Sequence, residues 1–181
     1  NYVEDVAKRI GMALKLHNKF HTISIRSTVS PNTNKIVGEI IEQYSSKKRG
    51  IDFDVVSNPE FLREGSAVKD YYNPQVTVIG IKDIDSKSAK IMRELYSDIK
   101  DEFMITSVES AEIIKYINNS WHALKITFAN EVGNICKKLD IDAYETMNIF
   151  IKDTKLNLSP YYLKPGFAYG GSCLPKDLKG F

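Results

Sequence analysis

The chain has 181 residues, of which 43% are hydrophobic and 27% charged, and a formal net charge of +2, as expected of a soluble chain that buries one core or two small ones. The mild positive charge lacks the clustered basic face of a nucleic-acid-binding protein, and no apolar run is long enough to span a membrane. Two cysteines argue against a disulfide framework and for a reducing compartment, so we predict a cytoplasmic protein.

The first half of the chain predicts alternating strands and helices. Residues 21–29 form an alternating β-rich strand, and Ser30 followed by Pro31 predicts an N-cap and a first helical residue, with the helix reaching about Tyr44. Further strands are predicted at residues 52–57, 76–80 and 103–106, with an irregular segment after the first of these and a helix over residues 83–99 before the last. This alternation predicts an α/β sheet.

The second half predicts helices only. Residues 110–139 form one long helix with a wide apolar stripe, and a shorter helix follows over residues 143–151. The stripe comprises Ile113, Ile114, Ile117, Trp121, Leu124, Phe128, Val132 and Ile135. It needs an apolar partner, which could be another part of the chain or a second copy of it.

A cysteine among small residues marks a candidate nucleophile. Residues 170–177 read Gly-Gly-Ser-Cys-Leu-Pro-Lys-Asp, so Cys173 is followed closely by a cation and a carboxylate. Lys176 would favour the thiolate, and Asp177 could hold a water or take its proton. The alternative is a glycine turn with a buried structural cysteine.

Three motifs carry a family resemblance. They are residues 155–177 around Cys173, residues 58–65 (Asn-Pro-Glu-Phe-Leu-Arg-Glu-Gly) followed by Lys-Asp-Tyr at 69–71, and residues 111–119 (Ala-Glu-Ile-Ile-Lys-Tyr-Ile-Asn-Asn). Taken in their order along the chain and with their spacing, the three motifs resemble those of the nucleotide-sugar 6-dehydrogenases of the UDP-glucose/GDP-mannose dehydrogenase family. The resemblance extends from about residue 24 to residue 181. The resemblance implies the C-terminal half of a Rossmann-like NAD-binding domain at residues 1–107. An all-helical central dimerisation domain would follow at residues 108–181.

Two features of the family pattern are absent from the sequence. A dinucleotide-binding domain is expected to carry a glycine-rich fingerprint between its first strand and helix, and none occurs here. The chain also ends four residues after Asp177, where the family continues into a third domain. We therefore expect a fragment that would not turn over by itself.

The resemblance implies oxidation of a sugar C6 alcohol to a carboxylate with two NAD in succession. Cys173 would form the covalent thiohemiacetal and thioester adducts. Lys115 and Asn119, one helical turn apart, would stabilise the oxyanion of the adduct. Thr28 and Asp177 would assist proton removal through a water, and Glu60 would act as an acid/base partner in hydrolysis.

The resemblance also implies binding residues, and no metal site is predicted. Substrate contacts are expected from Glu64, His122, Asn130, Tyr161, Tyr162, Lys164, Phe167 and Gly170. Cofactor contacts are expected from Thr28, Glu64 and Lys176. A homodimer through the long helix follows from the same resemblance. The paired tyrosines favour GDP-mannose over UDP-glucose, whereas Lys164 stands where Arg is expected for GDP-mannose and leaves this choice open.

Two other functional classes remain open from the sequence. A thiol hydrolase or acyl-transferase would also use Cys173, but it needs a histidine base, and the chain offers only His17, His21 and His122. The other alternative is a non-catalytic dimerisation scaffold that retains the motifs. Cys136, inside the predicted long helix, is interpreted as a buried thiol without chemistry.

Overall fold

The computed structural model describes residues 2–99, 102–160, 163, 165 and 166. The chain divides into two compact units, residues 1–123 and 124–181. The elements in chain order are α1 (Tyr2–Leu14), β1 (His21–Ile25), α2 (Thr33–Ser45), β2 (Phe53–Ser57), α3 (Ala67–Tyr72), β3 (Val76–Gly80), α4 (Lys87–Leu95), β4 (Glu102–Thr106), α5 (Val108–Lys138) and α6 (Ala143–Phe150).

The four strands form one sheet in the order β1-β2-β3-β4. β1 pairs with β2 in parallel, and β3 pairs with β4 in parallel. β2 and β3 run in opposite directions and pair only where Ser57 lies opposite Gly80, which are the last residues of the two strands. The carboxyl ends of the two central strands therefore meet. The α/β class predicted from the sequence is confirmed.

The first unit has apolar clusters on both faces of the sheet. Consecutive residues of a strand point to opposite faces, and Val55 and Val56 accordingly belong to different clusters. The Val55 cluster packs β2 against α1 and α2, with Ile41 fully buried at its centre. The Val56 cluster packs the sheet against α4 through Met92. Burial on both faces explains why two consecutive residues of β2, Val55 and Val56, are both apolar.

The start of α2 differs from the sequence prediction. Ser30 and Pro31 precede the helix as a turn, in which the Ser30 carbonyl accepts the Thr33 N–H at 3.1 Å, and the helix begins at Thr33. Asn32 flanks it with a positive φ of 74° and makes no side-chain cap. The predicted Ser30 N-cap was wrong, because a carboxylate of α5 accepts the N–H groups at the start of this helix, as described below.

Other helix bounds also shift from their predictions. α5 begins two residues earlier than expected, because the Ser107 hydroxyl accepts the Ser110 N–H at 3.2 Å. α4 is shorter than predicted at its start, because Ser86 caps it by accepting the Ala89 N–H. α1 and α3 were not predicted.

The described part of the second unit contains the end of α5 and α6. Asp142 caps α6, where Oδ1 accepts the N–H groups of Tyr144 and Glu145 at 2.8 and 3.1 Å. The Phe128 and Phe150 rings pack at a centroid distance of 5.6 Å. Cys136 is 5% exposed, so the predicted burial of this thiol is confirmed. No helix within the described residues has the length and apolar character needed to cross a membrane.

Candidate active site

A small cleft lies where β1 and β2 end and α5 begins. Both strands of this parallel pair point their carboxyl ends at it, which is where open α/β sheets place ligands. The space between the atoms at this cleft is about 200 Å³ when the adjoining open solvent is included. It is lined by Ile25, Ser27, Thr28, Val29, Ser57, Pro59, Ala111, Glu112 and Lys115.

Close packing of α5 on the sheet forms one wall of this cleft. Gly80 ends β3 directly against the first turn of α5. A Cβ at this position would lie 2.4 Å from the Ala111 Cβ and 3.0 Å from the Val108 Cα. Only glycine therefore allows this approach, which brings Ala111 and the following turn of α5 to the cleft.

Lys115 supplies the cation of the cleft. Its residue is 9% exposed, and Nζ lies 3.5 Å from Glu60 Oε1. Nζ also lies 5.4 Å from the centroid of the Phe61 ring. Glu60 is held in turn, because Oε2 accepts the Leu62 N–H at 2.6 Å. A largely buried ammonium with a fixed carboxylate partner can stabilise negative charge that develops on a bound group.

Thr28 also lines this cleft. It is exposed on the loop between β1 and α2, while the next residue, Val29, is buried and anchors the loop. The structure therefore brings Thr28 and Lys115 together at one cleft and places Glu60 against Lys115.

Glu112 joins α5 to the start of α2. Its residue is 3% exposed, and its two carboxylate oxygens accept the N–H groups of Asn32 and Asn34 at 2.8 and 2.7 Å. A carboxylate at this place also complements the positive end of the helix dipole. Glu112 belongs to the motif at residues 111–119, but the sequence analysis assigned it no role. The sequence does place this carboxylate between Ala111 and Ile113, three residues before Lys115. That position was the available signal for a buried carboxylate with a role at the site.

Arg49 and Asn34 extend this polar network beneath the cleft. Arg49 Nε contacts Asp54 Oδ1 at 2.9 Å, and Nη2 donates to Asn34 Oδ1 at 2.7 Å. Asn34 Nδ2 donates to the Val55 carbonyl and the Ser57 hydroxyl, both at 3.1 Å. The first turn of α2 is thereby fixed to β2.

The loop that carries Glu64 is not helical. Residues 58–66 contain no helix, and Gly65 has a φ of 83°. Glu60 and Glu64, four residues apart, therefore do not lie on one face of a helix. Instead, Asp70 of α3 accepts the Arg63 N–H, Nε and Nη2 at 3.0, 3.0 and 2.7 Å, which closes the loop. The hydrogen-bonded Arg63 guanidinium holds the pKa of Asp70 well below its usual range.

The remaining predicted residues lie elsewhere. Asn119 is exposed one turn after Lys115 on α5, and His122 is exposed further along that helix. Neither lines the cleft. Asn130 is exposed on the part of α5 that belongs to the second unit. Within the described residues, no cluster of three or more His, Cys, Asp or Glu side chains could hold a metal ion.

Eight predicted site residues lie outside the described residues. They are Tyr161, Tyr162, Lys164, Phe167, Gly170, Cys173, Lys176 and Asp177. Their assigned roles stay predictions.

Comparison with family models gives two matches that together cover nearly the whole chain. The NAD binding domain of the UDP-glucose/GDP-mannose dehydrogenase family matches residues 1–100, and the central domain of that family matches residues 109–181.

Curated relatives and solved structures give the same likeness. The chain is 49% identical over 179 residues to a GDP-mannose 6-dehydrogenase of Pseudomonas aeruginosa, covering 98% of the chain and 41% of the relative. It is 41% identical over 176 residues to the UDP-glucose 6-dehydrogenase TuaD of Bacillus subtilis, covering 97% and 36%. The crystal structure of a ternary complex of a Pseudomonas aeruginosa GDP-mannose dehydrogenase superposes with a TM-score of 0.94 at 49% identity, covering 99% of this chain and 41% of the other. The chain thus spans about two fifths of the length of the curated GDP-mannose relatives.

Proposed function

Because this chain belongs to the UDP-glucose/GDP-mannose dehydrogenase family, we propose that the protein containing it oxidises the C6 alcohol of a nucleotide sugar to a carboxylate. The substrate we propose is GDP-mannose, since the relatives named GDP-mannose 6-dehydrogenase are 47–50% identical and the named UDP-glucose relatives 40–41%. The observation that carries the proposal is the cleft in which Lys115, paired with Glu60, lies near Thr28 at the carboxyl ends of β1 and β2.

The residues at the cleft fit a nicotinamide nucleotide. The cleft lining includes two residues with hydroxyls, Ser27 and Thr28, and apolar residues such as Ile25 and Ala111, a combination that suits a flat ring with a polar amide. When bound, NAD would accept the hydride in each of the two oxidations. Thr28, Glu64 and Lys176 are proposed to contribute to holding it.

The first oxidation needs a proton acceptor for the C6 alcohol. We assign this to a water held by the Thr28 hydroxyl and Asp177, so that the alcohol proton passes to the water as the hydride leaves carbon. The product of this step is an aldehyde.

The second oxidation needs a covalent adduct. The Cys173 thiolate adds to the aldehyde carbon and forms a C–S bond, while the carbonyl oxygen becomes negative. Lys115 and Asn119 are proposed to donate to that oxygen, a contribution of about 3 kcal/mol for one donor in comparable sites. Loss of a hydride from carbon gives a thioester. Water then cleaves the C–S bond, which restores the thiol and releases the carboxylate, with Glu60 carrying the proton.

The substrate would be bound by residues from several segments. Glu64, His122 and Asn130 are proposed to contact the sugar nucleotide. Five residues of the segment before Cys173 are proposed to enclose its diphosphate, sugar or base: Tyr161, Tyr162, Lys164, Phe167 and Gly170. Lys164 would meet the diphosphate as a point charge.

A second copy of this chain is the proposed partner on α5. This helix leaves large apolar side chains exposed in both units: Ile113, Tyr116, Ile117, Leu124, Ile126 and Phe128. Light scattering of the full-length protein would measure its mass. A charge placed in the stripe, Ile117→Glu, is expected to lower the mass to that of one chain, and a monomeric unsubstituted protein would contradict the proposal.

The test of the function is the number of NADH formed per nucleotide sugar by the full-length protein that contains this chain. Two NADH per GDP-mannose, with little from UDP-glucose, would support both the four-electron reaction and the substrate. The reverse preference would move the assignment to UDP-glucose. No NADH from either sugar would contradict a dehydrogenase and favour the scaffold alternative, and thioester hydrolysis without NAD would favour a thiol hydrolase.

Two cysteine variants separate the proposed thiol chemistry from effects on folding. Cys173→Ser should abolish formation of the carboxylate product, since a serine hydroxyl is a much weaker nucleophile than a cysteine thiolate at neutral pH. Cys136→Ala removes the buried thiol of α5 and should leave the NADH stoichiometry at two. Equal losses in both variants would argue against a covalent role for Cys173.

A further inference from the structure

The carboxylate of Glu112 takes the place of the N-cap that α2 lacks. Asn32 makes no side-chain cap, and its N–H and that of Asn34 both point to Glu112. Both hydrogen bonds are charge-assisted and lie in a nearly water-free site, where such bonds are stronger than between neutral groups. Two N–H groups at the start of α2 therefore find their acceptor on α5 rather than on a neighbouring residue of the chain.

This link spans the cleft. On one side, the loop from β1 to α2 carries Thr28 and ends at Asn32. On the other side, Glu112 lies three residues before Lys115 on α5, so the two side chains leave neighbouring turns of one rigid element. Glu112 and Lys115 both line the cleft that Thr28 enters. The two hydrogen bonds thus join the segment bearing the hydroxyl to the helix bearing the cation.

We propose that Glu112 is a positioning residue, which holds the loop of Thr28 at a fixed distance from Lys115 by accepting the Asn32 and Asn34 N–H groups. This inference rests on the proposed function, since it assigns Glu112 an effect on that reaction. Both carboxylate oxygens of Glu112 accept backbone N–H groups, so we assign its effect to the loop and not to a reacting atom. A displaced hydroxyl would be expected to slow proton removal by tenfold to about a hundredfold, because misplacement by about 1 Å has effects of that order.

Glutamine is the informative substitution at this position. Glu112→Gln keeps the shape of the side chain, but one of its terminal atoms becomes an NH2 that faces a backbone N–H and cannot accept from it. One of the two bonds is then lost without opening a cavity. Asp142→Asn is the control for loss of a carboxylate charge at a helix start, because Asp142 caps α6 through Oδ1 alone and asparagine keeps that oxygen. It should leave turnover unchanged.

The decisive experiment is a double-mutant cycle in the full-length protein, with NADH formation as the readout. Glu112→Gln is expected to lower kcat by at least tenfold with less than a threefold change in KM for the nucleotide sugar. Once Thr28→Ala has removed the hydroxyl, adding Glu112→Gln should lower kcat by less than a further twofold. A full multiplicative loss in the double variant would overturn the inference, as would unchanged kcat in Glu112→Gln.

Amide hydrogen exchange tests the link without turnover. The amides of Asn32 and Asn34 should exchange at least tenfold faster in Glu112→Gln than in the unsubstituted protein, while Asp142→Asn should leave them unchanged. Unchanged exchange in Glu112→Gln would overturn the inference. If the unsubstituted protein formed no NADH, the proposed function would be contradicted instead. Amide hydrogen exchange would then still test whether Glu112 holds the start of α2. Should Glu112→Gln not fold, Glu112→Asp provides the same measurements with a carboxylate too short to reach both N–H groups.

Discussion

Substituting Gly80 by alanine would test how tightly α5 must pack on the sheet. The added Cβ would lie 2.4 Å from the Ala111 Cβ, so this distance must grow by about 1 Å to reach an ordinary contact of 3.4 Å. Rotation of a side chain cannot relieve the clash, since the Val108 Cα and the Ser107 carbonyl oxygen lie at 3.0 and 3.1 Å. Either α5 or the end of β3 must move.

The cost of this movement follows from the contact distances. Overpacking of a well-packed site costs about 1–3 kcal/mol, and backbone contacts place this site at the upper end. The lower chain entropy of unfolded alanine offsets about 0.4–1 kcal/mol. The net loss in free energy of unfolding is then about 2 kcal/mol, which is more than tenfold in the equilibrium constant.

Urea unfolding of the full-length protein would measure this loss. We expect a lower midpoint at an unchanged slope for Gly80→Ala, together with a lower kcat because Lys115 moves with α5. Gly133→Ala is the control, since a Cβ there meets no atom within 4 Å and glycine inside a helix costs about 0.5–1 kcal/mol relative to alanine. Its midpoint should rise. An unchanged midpoint for Gly80→Ala would refute the argument that glycine is needed for this approach.

Three other substitutions test single interactions in the first unit. Lys115→Gln should lower kcat by roughly a hundredfold or more, as for the loss of one oxyanion donor. Lys137→Gln, in the last turn of α5, should leave kcat unchanged, and equal kcat values for the two variants would contradict the role of the Lys115 cation. Asp70→Asn should destabilise the protein above about pH 5, because the Arg63 guanidinium lowers the pKa of this carboxyl in the folded state. Its contribution begins to fall as pH drops below about 4 and continues to fall toward the lowered pKa of the folded state, so the stability difference between the two proteins should shrink steadily over that range. A constant difference would exclude this ion pair as the cause. Arg49→Met should lower the free energy of unfolding in urea by about 3 kcal/mol, since it leaves a largely buried carboxylate unpaired, and a loss below about 1 kcal/mol would contradict that account.

The elements that were predicted well depend on local patterns. β3 matches its predicted bounds of residues 76–80, because a short apolar β-branched run is bounded by turn-forming residues on both sides. α5 was predicted within two residues, because its apolar periodicity extends over many turns. Both signals lie within the segment itself.

The features that were missed depend on distant residues. Ser30 and Pro31 carry a local helix-start pattern, yet α2 starts later because its N–H groups reach Glu112, about 80 positions away. The contact between Lys115 and Glu60 likewise joins separate segments, and only the family motifs suggested that both belong to one site. The closure of the Glu64 loop by Asp70 had no counterpart in the sequence analysis.

The Glu112 link has a consequence for how sequence variation would report it. Its donors are backbone N–H groups, so the side chain at Asn32 could change freely without removing the bond, and only proline would delete the donor itself. Residues that depend on each other through side chains tend to vary together, whereas an acceptor for main-chain groups has no such partner. Glu112 would therefore stand alone in any search for coupled positions, although it connects segments on opposite sides of the cleft.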